Sequence, residues 1–259
     1  MDTLIDHNKN KVTAVIAMYN GGKTIESTIK SILGQTYENI TIIICDDAST
    51  DNSIEKVLAF NSNQITLIRN EENIGLSKTR KKILSLIETK WLAFIDQDDK
   101  WNSDKIEKQI NLLKRETCAM CHSYYNFKIE SLNANKLIKS KSKIYYKDLL
   151  SGNCPGASTV LIDTDFFDNL NSFCDERYLD SINDYVMWLN LFRGSKNYSI
   201  CLEETMMDYS YHGNNLSANK LKQLFKHFHI LKNIEKISYF YLIYYVLKNI
   251  FNKIKGYVI

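Results

Sequence analysis

Two acidic clusters hold the most chemically potent side chains of this chain. Asp46-Asp47 closes an apolar run at residues 41–45 and leads into Ala-Ser-Thr-Asp, a turn-rich exit. Asp96-Gln97-Asp98-Asp99 closes a second run at residues 91–95. Three carboxylates within four residues repel one another. A hard divalent cation with oxygen ligands, Mg²⁺ or Mn²⁺, relieves that repulsion and can hold a diphosphate at the same time. The plainer alternative is a solvated acidic turn in which Asp99 caps the following helix. Position favours function, because ligands of open α/β sheets bind outside the carboxyl ends of the strands.

A rival signal lies upstream. Residues 17–24, Ala-Met-Tyr-Asn-Gly-Gly-Lys-Thr, fit a relaxed P-loop pattern with Ala in the first glycine's place. They fall between a strand and a helix, where a phosphate cradle belongs. A P-loop NTPase using Gly22-Lys23-Thr24 is therefore an alternative, although it leaves the Asp96–Asp99 cluster and residues 69–80 without a role.

The elements that must position these groups follow an alternating rhythm. Residues 12–17 read as a buried strand, and residues 24–33 as a helix with Ile25, Ile29, Ile32 and Leu33 on one face. Strands at 41–45, 65–68 and 91–95 continue the pattern, with a helix near 77–88. The continuous apolar run at 41–45 suggests burial on both faces. Asn102 or Ser103 is placed to cap the next helix, where Ile106, Ile110 and Leu113 share a face. After about residue 117 the rhythm loosens, with strands at 118–129 and 158–162 and a helix at 184–192. The expectation is an α/β fold with a mostly parallel, Rossmann-like sheet and helices on both faces.

Composition narrows the class. The chain has 259 residues with 44% hydrophobic and 24% charged residues, enough for one substantial core. That excludes a disordered chain, a collagen and a disulfide-stapled mini-protein. A net charge of +3 speaks against nucleic acid as a partner. The N-terminal residues carry acids and no apolar h-region, so a cytoplasmic location with reduced thiols is expected. Cys118-Ala-Met-Cys121-His122 has haem-attachment or half-zinc spacing. Without an oxidising compartment or a second such pair, it reads as buried thiols on a strand. No run approaches the roughly 20 apolar residues of a spanning helix.

Several segments in order resemble a known family. They are residues 12–20, VTAVIAMYN; 32–37, ILGQTY; 44–51, ICDDASTD; 69–76, RNEENIGL; Thr79-Arg80; and 94–101, FIDQDDKW. Together they are similar to the nucleotide-binding half of a family 2 glycosyltransferase with the GT-A fold, closely over 11–115 and loosely over 116–217. The resemblance implies one domain over 1–217, followed by a basic, aromatic helical tail at 218–259. It implies an inverting transfer of sugar from a nucleotide-diphosphate sugar, foremost a UDP-sugar, to a hydroxyl of a cell-envelope glycan or lipid-linked acceptor. Tyr19 and Asn20 would line the nucleotide pocket, Asp47 would accept from the base edge, and Arg80 would lie near the nucleotide. Asp96 and Asp98 would form the DxD element, with Asp98 reaching a Mn²⁺ or Mg²⁺ that bridges the phosphates.

The second half would supply acceptor and base. Asn183-Asp184 resembles the family's Glu-Asp pair before a helix, with Asn in the place of Glu. Asp184 is the candidate general base; helix capping is its ordinary alternative. His212, in a segment resembling the family's closing motif, could approach the metal or diphosphate, although Ser210 stands where the family often has Arg. Gly156 could belong to a backbone loop around the donor sugar, and Trp101 could pack on a sugar face or in the core. The two departures leave open a non-catalytic carbohydrate-binding relative. In the tail, residues 237–247 are aromatic and apolar, edged by Lys248, Lys253 and Lys255. They suit either a membrane interface, making the protein peripheral on the inner face of the membrane, or packing against the domain.

Overall fold

The computed structural model describes residues 10–129, 134–152, 154–167, 170, 183–211 and 220–254. Along β1 (Val12–Met18) and β4 (Trp91–Phe94), side chains alternate between two apolar cores. Val12, Ala14, Ile16, Met18, Trp91 and Ala93 point into one, and Val15, Leu92 and Phe94 into the other. Burial on both faces is why these runs lack polar alternation. Helices α1 (Ile25–Leu33), α2 (Ser53–Leu58) and α4 (Lys105–Arg115) feed the first core. The second receives α3 (Leu76–Leu84), α5 (Tyr146–Leu150), α6 (Asn183–Phe192), α7 (Lys220–Asn233) and α8 (Tyr239–Ile254).

The sheet is parallel where the rhythm is regular. β3 (Ile65–Arg69), β2 (Ile40–Asp46), β1 and β4 lie side by side in that order, all parallel. Beyond β4 it becomes mixed. β9 (Leu161–Asp163) runs antiparallel to both β4 and β6 (Met120–Ile129). β6 pairs in parallel with β10 (Ser199–Tyr211) and antiparallel with β7 (Ala134–Ile138). β10 also pairs antiparallel with the short β5 (Lys100–Trp101) and β8 (Lys143–Ile144).

Local chemistry moved several boundaries. The residue before α4 is Asp104, not Asn102 or Ser103. Asn102 is spent elsewhere: its amide donates to the Thr205 carbonyl at 2.7 Å and its own carbonyl accepts from Gln35 at 2.8 Å. The strand expected at 158–162 begins later, because Ala157–Thr159 close a 3-10 turn. On α4, Lys105 and Gln109 share the buried face with Ile106, Ile110 and Leu113. The Lys105 ammonium donates to Gln109 Oε1 at 2.7 Å and lies 4.3 Å from the centre of the Trp101 ring. Burial pulls its pKa down to about 7.

Cys118 and Cys121 are buried thiols, pushed up to about 11 and about 12 by desolvation. His122 is buried and held neutral between Ser199 and Ser140, its pKa lowered to about 4 by burial. Among the described residues no group of three His, Cys, Asp or Glu side chains forms a metal cage.

Trp188 of α6 is fully buried, edge-on to Phe94 with ring centroids 6.0 Å apart. Its indole N–H donates to the Pro155 carbonyl at 2.9 Å. Trp188→Ala is expected to cost about 3–5 kcal/mol, read as a lower urea midpoint at unchanged slope. A loss below about 1 kcal/mol would show that this contact does not fix α6 against the sheet.

Candidate functional site

Parallel register gathers the carboxyl ends of the first four strands at one edge. Met18 stands opposite Asp46, Asp46 opposite Arg69, and Val15 opposite Phe94. The turn after β2 is tied inward: Asp46 Oδ2 accepts the Ser49 amide at 3.1 Å, which sets Ala48 at φ +60°. Asn20, at φ +50°, receives the Thr50 amide on Oδ1 at 2.8 Å and gives its own amide to Ser49 Oγ at 2.8 Å. Asn tolerates the left-handed region better than most residues. The loops after β1 and β2 are thus fastened to each other, leaving the Tyr19 ring 46% exposed at their rim.

Asp47 is a hub. Its carboxylate is buried and accepts Asn70 Nδ2 at 2.8 Å, the Ile74 amide at 2.9 Å and the Gly75 amide at 2.8 Å. Gly75 adopts φ +86° immediately before α3, so Asp47 sets the entry angle of that helix. A carboxylate can take about four donors, which leaves one acceptor direction. One turn further, α3 presents Arg80, buried against Phe94 with 5.8 Å from guanidinium to ring centre. Arg80 Nη2 donates to Asp96 Oδ1 at 2.7 Å.

The acidic cluster is sorted by depth. Gln97 clasps the Tyr19 backbone twice, accepting its N–H at 2.9 Å and donating to its C=O at 3.0 Å. Asp99 does not cap α4 but is withdrawn into the interior, 1% exposed. It accepts from the Ser158 hydroxyl and from the Ser210 amide at 3.4 Å. Burial first, then the charges of Asp96 and Asp98, push its pKa well above the ordinary carboxylate range. Asp96 and Asp98 remain half-buried at the mouth, and Ser158 Oγ also accepts the Asp96 amide at 2.9 Å.

Asp184 lies in the first turn of α6, its Oδ1 accepting the Tyr185 amide at 2.8 Å. Burial raises its pKa; Arg80 opposes that shift and Asp96 adds to it, so Asp184 lies within reach of both charges. The phenol of Tyr125 feels Asp99 and Asp184 as well. The fold therefore unites Tyr19, Asn20, Asp47, Arg80, Asp96, Asp98 and Asp184 from both halves of the chain. Gly156 opens the 3-10 turn that carries Ser158, and a Cβ there would meet little, 3.8 Å from Thr159 Cγ2. Trp101 follows its core alternative: it is 5% exposed, and its indole N–H donates to the Ser158 carbonyl at 2.8 Å. Asn183 begins α6, and its side chain lies outside the described residues, as does His212. Sequence reasoning missed Gln97, Asn70 and Ser158 as organisers, since only the tertiary fold aligns them.

The P-loop alternative fails on geometry. The Gly22 amide donates to Asp51 Oδ2 at 2.9 Å, so a protein carboxylate occupies the anion position of this turn. A Cβ on Gly22 would lie 2.2 Å from Asn52 Oδ1, so side chains fill the turn. The other donor set fits a hard divalent cation. Asp96 and Asp98 offer carboxylate oxygens at the mouth, and Mg²⁺-type ions are held by one or two carboxylates together with substrate phosphates rather than by full protein cages.

The chain is similar to several known proteins. The family model for glycosyl transferase family 2 matches residues 13–164. The chain is 36% identical over 225 residues to UDP-Glc:alpha-D-GlcNAc-diphosphoundecaprenol beta-1,3-glucosyltransferase WfaP of Escherichia coli, covering 86% of each chain. It is 30% identical over 242 residues to the enzyme of the same activity named WfgD from Escherichia coli, covering 91% of this chain and 92% of that one. Among solved structures, S. aureus TarS 1-349 in complex with UDP-GlcNAc aligns with a TM-score of 0.68 at 14% identity, over 93% of this chain and 71% of that one.

Proposed function

The chain belongs to glycosyl transferase family 2, and from that premise we propose that it transfers a hexose from a UDP-sugar to a hydroxyl of a lipid-linked, GlcNAc-type glycan acceptor during envelope polysaccharide assembly. The names of the two Escherichia coli relatives support this donor and acceptor class. The observation that carries the reading is the Arg80–Asp96 pair at 2.7 Å beyond the carboxyl ends of the parallel strands, with Asp184 at the start of α6 within reach of its charges.

Each group then has a task. Tyr19 and Asn20 border the base and ribose, and Asp47 shapes the loop while keeping one acceptor direction for a base N–H. Arg80, already paired with Asp96 at 2.7 Å, fixes that carboxylate and brings positive charge toward the diphosphate. Asp96 and Asp98 would hold a Mn²⁺ or Mg²⁺, which when bound neutralises charge on the departing diphosphate. Asp184 takes the proton of the acceptor hydroxyl; that oxygen attacks the anomeric carbon from the face opposite the leaving group, and the carbon–oxygen bond to the diphosphate breaks. Single displacement inverts the anomeric centre. Gly156 and the turn it opens lie beside the donor sugar.

A thermal-shift series with UDP-glucose, UDP-GlcNAc and GDP-mannose, each with Mn²⁺, tests the donor. One UDP-sugar is expected to raise the melting temperature most, by linkage. NMR of the product made from an α-linked donor should show a β linkage. Stabilisation by no nucleotide sugar, or an α-linked product, would overturn the proposal.

A further inference from the structure

Helix α8 is apolar on two opposite faces. Its inner face is buried at Leu242 and Asn249, and the helix is bolted down by polar contacts. Asn249 Nδ2 donates to His227 Nδ1 at 2.8 Å, His227 Nε2 donates to the Leu150 carbonyl at 3.2 Å, and Asn252 Nδ2 donates to the Ser151 carbonyl at 3.2 Å. A Cβ on Gly152 would fall 2.0 Å from Asn249 Nδ2, so the seat is close-fitting. Phe240, Ile243, Tyr244 and Leu247, spaced i, i+3, i+4, i+7, form the outer face and are 80%, 60%, 51% and 61% exposed.

Charge identifies what the outer face meets. Residues 220–254 carry seven lysines against one acid, Glu235. That acid is turned inward, paired with Arg193 and accepting from the Tyr146 hydroxyl, with its side chain 1% exposed. Lysines also edge the aromatic stripe: Lys232 lies over the Tyr239 ring at 3.5 Å and Lys248 over Tyr244 at 5.6 Å. A second copy would meet this face with the same lysines, which a two-fold interface sets against one another. Nucleic acid would leave the apolar stripe in water.

We propose that the outer face of α8, edged by Lys232 and Lys248, docks on an anionic lipid bilayer, with the helix lying in the interface plane. Phe240, Ile243, Tyr244 and Leu247 enter the headgroup–acyl boundary while the lysines meet lipid phosphates. The surface stands on its own observations; to the function proposed above it adds a fixed pose. Because Arg193 follows α6 and grips Glu235 between α7 and α8, docking orients the helix that carries Asp184 relative to the leaflet.

The test is flotation of the full chain with phosphatidylcholine vesicles, with and without phosphatidylglycerol. Wild type is expected to float with the anionic vesicles and to be released by salt. The triple variant Phe240→Ser, Ile243→Ser, Leu247→Ser should partition at least about tenfold less. Its melting temperature should match wild type, because all three side chains are exposed. Should the triple variant unfold, Leu247→Glu alone carries the test with the same expectation. Equal flotation of wild type and a folded variant overturns the proposal. So does light scattering that shows a wild-type dimer dissociated by the substitutions. Transfer to a lipid-free acceptor analogue should be unchanged in the variant. If that transfer is absent in wild type while flotation persists, the transferase reading falls and the docking surface stands.

Discussion

Asp184→Asn is expected to lower kcat by roughly 10²–10⁴-fold while leaving the dissociation constant of the donor nearly unchanged. The amide keeps the size and can still accept the Tyr185 amide, which Asp184 Oδ1 now receives at 2.8 Å, so α6 should hold its place. What it loses is the capacity to take a proton. Titration provides a second readout. Burial raises the Asp184 pKa, and only the deprotonated form can act as base. The acid limb of kcat/KM should therefore fall at a pH above the ordinary carboxylate range, and it should vanish from the residual activity of Asp184→Asn. Isothermal titration with UDP and Mn²⁺, run beside the kinetics, separates the roles. Loss of donor affinity equal to the loss of turnover would make Asp184 a binding residue.

Asp47→Ala should be the most damaging change in the nucleotide half. It removes the acceptor of the Ile74 and Gly75 amides and of one Asn70 Nδ2 proton, whose other partner is Thr79 Oγ1 at 3.2 Å. An unsatisfied buried donor costs about 1–3 kcal/mol, so a destabilisation of at least about 3 kcal/mol is expected in urea unfolding. The loop before α3 would also lose its tether, and Arg80 would lose its register toward Asp96. Affinity for UDP should weaken about tenfold or more even where the variant remains folded. Asp47→Asn, which keeps one carbonyl oxygen, should fall between the two. If Asp47→Ala proved as stable as wild type yet failed to bind UDP, the side chain would serve the nucleotide alone.

What could be read beforehand follows from what one chain segment can state by itself. β1, β2 and β4 were legible because strands with a core on each face are mostly apolar, with Thr13 and Thr41 as single exceptions before Asp46, and α1 because Ile25, Ile29 and Ile32 repeat at helical spacing. Asp96 and Asp98 were legible because carboxylates crowd there at a strand end. β10 was not: Glu203, Glu204 and Asp208 interrupt its pattern, and its register slips after Leu202 and again after Thr205. Lys105 was missed on the buried face of α4, since its acceptor Gln109 and the Trp101 ring become its partners only in three dimensions. The same holds for Asp47, whose sequence context suggested an open acceptor rather than a tether. Trp101 kept both readings until its indole N–H found the Ser158 carbonyl.

The turn bearing Asp96, Asp98 and Asp99 is closed by a strand from the far end of the domain. Met207 pairs with Trp101, and the Ser210 amide reaches Asp99 across 111 positions of sequence. During vectorial synthesis the first four strands can collapse while β10 is still inside the ribosome; Asp96 then already has Arg80 to pair with, whereas Asp99 lacks the Ser210 amide until translation has passed residue 210. Contacts of such separation assemble slowly. Until β10 joins the sheet, the turn after β4 is therefore held only in part.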